Sequence, residues 1–429
     1  MNGEKDLEIG CPLTTDYSPL TLKPTKLNPE LKLLSEMNKL KTTITFLTWL
    51  IVYSSCGQSG GIPAKNTKYS DPVAPVGNPE LTVPSSVVPI MDYWMRDTYI
   101  MTGADGNYYM TGTTATPGRV FPFGRIHCWD YNDGLYMWKS KDLKQWEPMG
   151  LIWSFDKDAA DWQKNGIPLK PGAMSPNKDP LDSFYRAVWA PELHYIESKK
   201  KWLMIACMNG GAGSFVLESI SGKPQGPYRN ITGNTDKAIF PNIDLSLFED
   251  DKGQVYLIGH NHFIAKMKDD LSDVAEPFRK LIETPYNPDP YIEGVFITKH
   301  NDKYQLLQTI WSVKREDGTF SYLRDDKKDL NSLYSYDVVV AESDNIYGPY
   351  GPRYAAILQG GHNNIFKDKE GNWWSTTFFN PRGIMGTKFP VTCRPGLVPV
   401  KWENDRLKPD NERAAKFYAN FMIPSSHSN

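Results

Sequence analysis

Five segments of the chain carry one pattern of polar and apolar positions. They are RDTYIMTGADGNYYMTGTT from Arg96, PELHYIESKKKWLMIACM from Pro191, IDLSLFEDDKGQVYLIGH from Ile243, IEGVFITKHNDKYQLLQT from Ile292 and GHNNIFKDKEGNWWSTTF from Gly361. Each opens on a polar residue, runs through a short apolar strand and turns at a polar, often glycine-containing tip. An aromatic residue and a second apolar strand follow, which together read as a β-hairpin. From opening residue to aromatic the steps are Asp97 to Tyr109, Glu192 to Trp202, Asp244 to Tyr256, Glu293 to Tyr304 and His362 to Trp374. These are 12, 10, 12, 11 and 12 residues, a scatter expected of different hairpin turns. A second echo follows the hairpins at 138–150, 217–230 and 341–352, each a strand, a Ser, a turn and an aromatic.

A lone hairpin is marginal and needs neighbours to cover its face. Radial repetition of small sheets supplies them and protects the edges. The pattern therefore predicts an all-β fold, a five-bladed β-propeller over 89–425. A β-sandwich is the rival. It does not explain a polar residue opening the first strand of every unit, whereas in a propeller those positions line the central channel.

Composition agrees. Aromatics make up 13 % of the 429 residues, with 33 Gly and 33 Pro, which favours strands joined by tight turns. A net charge of −2 gives no bulk electrostatic reason to bind nucleic acid or an anionic membrane. Cys11, Cys56, Cys128, Cys207 and Cys393 lie far apart, so neither a disulfide framework nor a zinc site is expected.

The N-terminus reads as an address. Lys39 and Lys41 precede an apolar stretch at 43–53, then Tyr53-Ser54-Ser55-Cys56. The stretch is short for a span and fits a signal peptide; a buried strand or short helix is the alternative. Small residues before Cys56 resemble a bacterial lipoprotein signal, which implies cleavage before Cys56, lipidation of its thiol and a place in the bacterial cell envelope, on the periplasmic or outer face. Residues 1–36 read as a leader or start-site artefact, 37–56 as the signal and 57–88 as a flexible tether.

If the repeats are blades, Asp97, Glu192, Asp244, Glu293 and His362 converge near one end of the axis. Clustered carboxylates are driven to different titration ranges. That suits acid–base work on a neutral, hydroxyl-rich substrate, and glycoside hydrolysis needs such a pair.

These residues sit in segments that resemble glycoside hydrolase family 43 and its five-bladed relatives. The matching pieces are Arg96-Asp97 before D-G-x-Y-Y, W-A-P-E-L at 189–193, I-D-L-S-L-F-E-D-D-K-G at 243–253, E-G at 293–294 and G-G-H-N-N at 360–364. The resemblance spans about 96–400, and it is the order of the five pieces, not any one of them, that carries it. It implies an inverting glycosidase of arabinofuranosidase, xylosidase or galactosidase type, acting on plant or algal glycan. Asp97 would be the general base, Asp244 the group that tunes and orients the acid, and Glu293 the general acid. Inversion would place the Asp97 and Glu293 carboxyls roughly 6.5–9.5 Å apart.

The resemblance further implies Glu192 as a supporting group, Trp189 as a sugar platform, and Arg394 as a ligand for sugar hydroxyls or a carboxylate. His362 would contact substrate, or a metal ion or its waters. No cofactor is required, with room for a structural calcium or sodium ion in the channel. A carbohydrate is the expected partner, and the protein is expected to be a monomer. Asp97-Thr98 and Glu293-Gly294-Val295 stand where members often have Asp-Pro and Glu-Gly-Pro. Both carboxylates survive, but the departures loosen any substrate assignment.

Structural alternatives stand beside these roles: Asp97 as a hairpin cap, Asp244 bonding the turn at Ser246, Glu293 as a solvated strand end. Asp92 is the fallback base. His260 and His262 lie on one strand face without a third ligand. Trp129, Trp189 and Trp311 are candidates for stacking on sugar. Asp289 and the charge run 325–329 read as loop. The insertion 153–186 is expected to shape one wall of the pocket. A carbohydrate-binding propeller without catalysis is the alternative function.

Overall fold

A computed structural model describes residues 78–114, 132–164, 167–168, 184–208, 212–231, 235–260, 263–281, 292–314, 320–321, 334–379 and 393–423. Outside them lie residues 1–77, with Cys56 and the expected signal, and also Trp129, His262, Asp289, 325–329 and much of the 153–186 insertion. Tyr69–Asn429 forms one compact unit.

Five antiparallel sheets follow one another along the chain, each built on four strands in sequence order, the fourth sheet adding Phe320–Ser321 beside its second strand. Blade I is Met95–Thr102, Tyr108–Thr114, Gly134–Ser140 and Glu147–Ser154. Blade II is Val188–Ile196, Lys201–Met208, Gly213–Ser219 and Tyr228–Asn230. Blade III is Ser246–Glu249, Val255–Gly259, Phe263–Lys266 and Arg279–Lys280. Blade IV is Ile292–His300, Lys303–Lys314, Tyr334–Ser343 and Tyr354–Ile357. Blade V is Ile365–Lys367, Trp373–Phe378, Pro395–Glu403 and Arg406–Pro409. This is the expected five-bladed propeller. Short strands with bulky apolar residues on both faces suit it, because each blade is covered by two neighbours.

The core lies between blades. Leu203, Ile205 and Val216 of blade II meet Leu247, Val255 and Leu257 of blade III. Ile258 and Ile264 of blade III meet Val295, Ile297 and Leu306 of blade IV. Blades I and V close the ring without exchanging a strand. The Ile100 amide donates to Asn364 Oδ1 at 3.1 Å, and Asn364 Nδ2 donates back to the Ile100 carbonyl at 2.8 Å.

Residues 78–88 correct the expected tether. Thr82 pairs in parallel with Leu358 at the rim of blade IV. Val83, Val87 and Ile90 are buried with Met95, Leu397 and Val398. Three apolar side chains in the spacing V-x-x-x-V-x-x-I gain more from burial than this Pro-rich stretch gains from freedom. The helix Asn411–Tyr418, capped by Asp410 Oδ1 accepting from the Arg413 amide at 3.0 Å, buries Ala414 and Tyr418 in the same cluster.

Candidate active site

The pairing of the first strand with the second slips in three blades: between Arg96 and Tyr99, between Trp189 and Glu192, and between Glu293 and Phe296. At each slip two residues face one, a β-bulge that re-aims the side chains around it. The first bulged residue is left-handed each time: Asp97 at φ 50°, Ala190 at 45° and Gly294 at 53°. Asp244, just ahead of the first strand of blade III, matches them at 52°.

This register revises the equivalence expected from the repeats. Asp97, Ala190 and Gly294 occupy one position. Glu293 comes one residue earlier, and Glu192 two residues later. The step of 10 residues in blade II is a sign of this offset, since Ala190 to Trp202 is 12, whereas blade IV has a shorter turn, Gly294 to Tyr304 being 10. Glu192 accordingly leaves the group: its Oε2 accepts from Ser246 Oγ at 2.7 Å and lies 2.8 Å from His194 Nε2. Tyr99 OH lies 3.4 Å from His194 Nδ1, so Glu192 belongs to a hydrogen-bonded layer one step along the strands.

Asp97, Asp244, Glu293 and His362 are brought together. Thr113 Oγ1 donates to Asp97 Oδ2 at 2.6 Å and accepts from the Ala190 amide at 2.8 Å, so one hydroxyl ties the bulges of blades I and II. Asp97 Oδ1 lies 3.5 Å from His362 Nδ1 and 3.8 Å from Arg96 Nε. Arg96 is itself spread over the Phe378 ring at 4.6 Å. The Gly294 amide donates to Asp244 Oδ2 at 3.2 Å, with His260 Nδ1 3.9 Å from the same oxygen. Trp311 Nε1 and Tyr336 OH both donate to Glu293 Oε2, at 2.9 and 2.6 Å.

Gly294 has a steric reason as well as a conformational one. A Cβ there would lie 2.6 Å from the His362 ring, so the residue after the candidate acid must be glycine for the imidazole to sit where it does.

The electrostatics follow from burial of unlike charges together. Burial pushes the Asp244 carboxyl above its ordinary range; His362 opposes that, Glu293 adds to it, and His260 opposes it again. For His362 burial works to lower the titration, but Asp244, Asp97, Glu192 and Glu293 outweigh it and raise the imidazole above 6.5. The cluster sets buried carboxyls against basic side chains, the His362 imidazole and the Arg96 guanidinium, which bias their titration.

Two expected ligands have other partners. Trp311 is buried, its ring stacked on Tyr336 with centroids 4.1 Å apart. It serves Glu293 through its N–H and is not a face for sugar. Arg394 Nε donates to Asp92 Oδ1 at 2.8 Å, so the expected ligand and the fallback base are paired with each other. Trp189 is half-buried at the bulge of blade II. Among the described residues no group of three or more His, Cys, Asp or Glu is arranged to hold a metal ion. Calcium takes six to eight oxygen ligands, waters among them, and the carboxylates nearest His362 are already engaged by Thr113 and Gly294.

Thr113, Tyr336 and Gly294 escaped the sequence reading. The only signal was for Gly294, a glycine directly after a candidate acid. Thr113 and Tyr336 carry none, because their roles depend on strand register.

Residues 87–407 match the family model for glycosyl hydrolases family 43. The beta-D-galactofuranosidase xynD of Aspergillus niger is 24 % identical over 205 residues, 42 % of this chain and 53 % of that protein, so the match spans about half of that relative. Among solved structures, an endo-1,4-beta-xylanase from Bacteroides thetaiotaomicron superposes with a TM-score of 0.50 at 20 % identity, over 75 % of this chain and 97 % of the other. An exo-1,5-alpha-L-arabinanase from a bovine ruminal metagenomic library gives 0.50 at 16 %, over 75 % and 99 %. Both likenesses are of fold.

Proposed function

This chain belongs to glycosyl hydrolases family 43, and on that premise we propose that it cleaves glycosidic bonds of plant or algal glycan by single displacement with inversion. The observation that carries the reading is the gathering of Asp97, Asp244 and Glu293 around His362, each carboxylate held by different partners. Asp97 takes a proton from water as the water oxygen bonds to the anomeric carbon. Glu293 gives its proton to the departing glycosidic oxygen as that bond breaks. Asp244 bears on the acid through its charge and holds the Gly294 backbone beside it. Arabinose-, xylose- and galactose-containing glycosides are the substrate classes this reading puts first, since relatives named as galactofuranosidase, xylanase and arabinanase share the family or fold.

Incubation with aryl glycosides and plant polysaccharides, with the first-formed anomer followed by NMR, tests the proposal. Release of the inverted anomer supports it. Retained configuration defeats the single displacement, and binding without release makes this a carbohydrate-binding propeller. The lipid anchor at Cys56 belongs to the same proposal: labelled palmitate should enter the full chain expressed in a bacterium and be lost in Cys56→Ser.

A further inference from the structure

Trp311 and Tyr336 face each other on neighbouring strands of blade IV. Their rings stack at 4.1 Å with 30° between the planes. Phe378 of blade V meets the Tyr336 ring edge-on at 6.0 Å, and all three side chains are buried. The backbone beneath is held too: the Tyr336 carbonyl accepts from the Gly361 amide at 3.0 Å, and Asp337 Oδ1 accepts from the Gln359 amide at 2.9 Å. The strand Tyr334–Ser343 therefore holds both Tyr336 and the segment leading to His362, with Trp311 on the strand that faces it.

Both donors end on the same oxygen, Oε2 of Glu293. An indole N–H can donate but never accept, so Oε2 must offer it a lone pair. The Tyr336 hydroxyl takes the second. A proton on Oε2 would leave one lone pair for two donors, so Tyr336 would have to turn and accept, stranding its own hydroxyl proton in a buried site where a lost bond is costly. The other oxygen, Oε1, is left to carry the proton.

The geometry points to Trp311 and Tyr336 as positioning residues that keep the transferable proton of Glu293 on Oε1 and aim it at the leaving oxygen. This deepens the proposed function and rests on Glu293 being the acid. The clamp matters only when the leaving group needs a proton. An alkoxide does; a dinitrophenolate departs without one. The contribution sought is therefore a difference between two leaving groups on one sugar, which a general loss of folding would not produce.

The test compares Tyr336→Phe, Trp311→Phe and Glu293→Gln with the unaltered protein, on a methyl glycoside and a 2,4-dinitrophenyl glycoside of the sugar hydrolysed fastest in the panel. General acid catalysis is worth about 10²–10⁴-fold. Misaiming it should cost about tenfold or more in kcat on the methyl glycoside and under about threefold on the dinitrophenyl one, with KM little changed. Glu293→Gln should show the same split, larger. Equal losses on both substrates in Tyr336→Phe, or no loss on either, overturn the clamp while leaving the acid in place. Equal losses in Glu293→Gln itself remove Glu293 from the acid role, and the clamp falls with it. Tyr336→Phe keeps the ring and its stack, so it decides the matter even if Trp311→Phe does not fold.

Discussion

The first hairpin of each blade has two ends, and they are built on different rules. At the turn end of blades I, III and V the same five-residue loop recurs, with Gly106, Gly253 and Gly371 at φ 74°, 76° and 85°. In each, an aspartate collects amides of its own loop and the hairpin aromatic closes on it. Asp368 Oδ1 accepts from the Glu370 and Asn372 amides, and Trp374 Nε1 donates to its Oδ2 at 2.8 Å. Asp250 does this with Lys252, Gln254 and Tyr256. Asp105 does it with Asn107 and Tyr109. All partners lie within six residues.

At the axis end, partners come from far along the chain. Thr113 to Asp97 spans 16 residues, Trp311 to Glu293 18, Tyr336 to Glu293 43 and Gly294 to Asp244 50. Left-handed backbone falls there on Asp97, Ala190 and Asp244 as well as Gly294, whereas the turn ends of blades I, III and V place glycine and those of blades II and IV use Lys200, Asn301 and Asp302. What sets the axis end apart is buried charge beside left-handed backbone, as expected where geometry is held for chemistry rather than for stability.

Substitutions can break this contrast. The largest effect is expected at the axis. Glu293→Gln should lower kcat on alkyl glycosides by about 10²–10⁴-fold with an unfolding midpoint close to that of the parent; activity retained in full would place the acid elsewhere. Gly294→Ala comes next, since the new Cβ collides with the His362 ring 2.6 Å away. It should cost about 1–3 kcal/mol in stability and most of the activity. An unaltered denaturation curve would show that the close approach is not needed.

Asp368→Ala should also cost about 1–3 kcal/mol, yet leave kcat on the same substrate within error. A fall in kcat would mean that the two ends are coupled. A smaller effect appears with pH. His362 titrates above 6.5 in the fold, so its contribution to stability is complete below about 6.5 and fades as pH rises through the raised value. The Asp244 carboxyl, raised above 3.8, has the same sign at lower pH. The midpoint of the parent should therefore fall more steeply than that of His362→Gln as pH is raised through and above neutrality; parallel curves would remove His362 as a counter-charge. The smallest change is Ala190→Gly, which relieves the left-handed alanine and should raise stability by about 0.5–1 kcal/mol without affecting KM.

Much of this was legible from the residues alone. The blade count followed from five copies of one hairpin, and three carboxylates and a histidine of the site from the polar residues that open them. Glu192 was misplaced because a bulge shifts the register without changing the hydrophobic pattern. Trp311 was read as a sugar platform because aromatic surplus says nothing of whether a ring ends up buried. Residues 78–88 read as tether because Pro and Ser outweigh Val83 and Val87, whose partners Leu397 and Val398 lie some 300 residues away.

By itself the sequence determined what is settled within a few residues: strands, the Asp–Gly loops that close them, and the aromatics bonded to those loops. Only the tertiary structure decided which residues share the axis position, which oxygen of Glu293 is occupied, and why Gly294 must lack a side chain. Local hydrogen bonds are fixed by chain connectivity, whereas these depend on strands from different blades arriving in register, a condition that no single segment encodes.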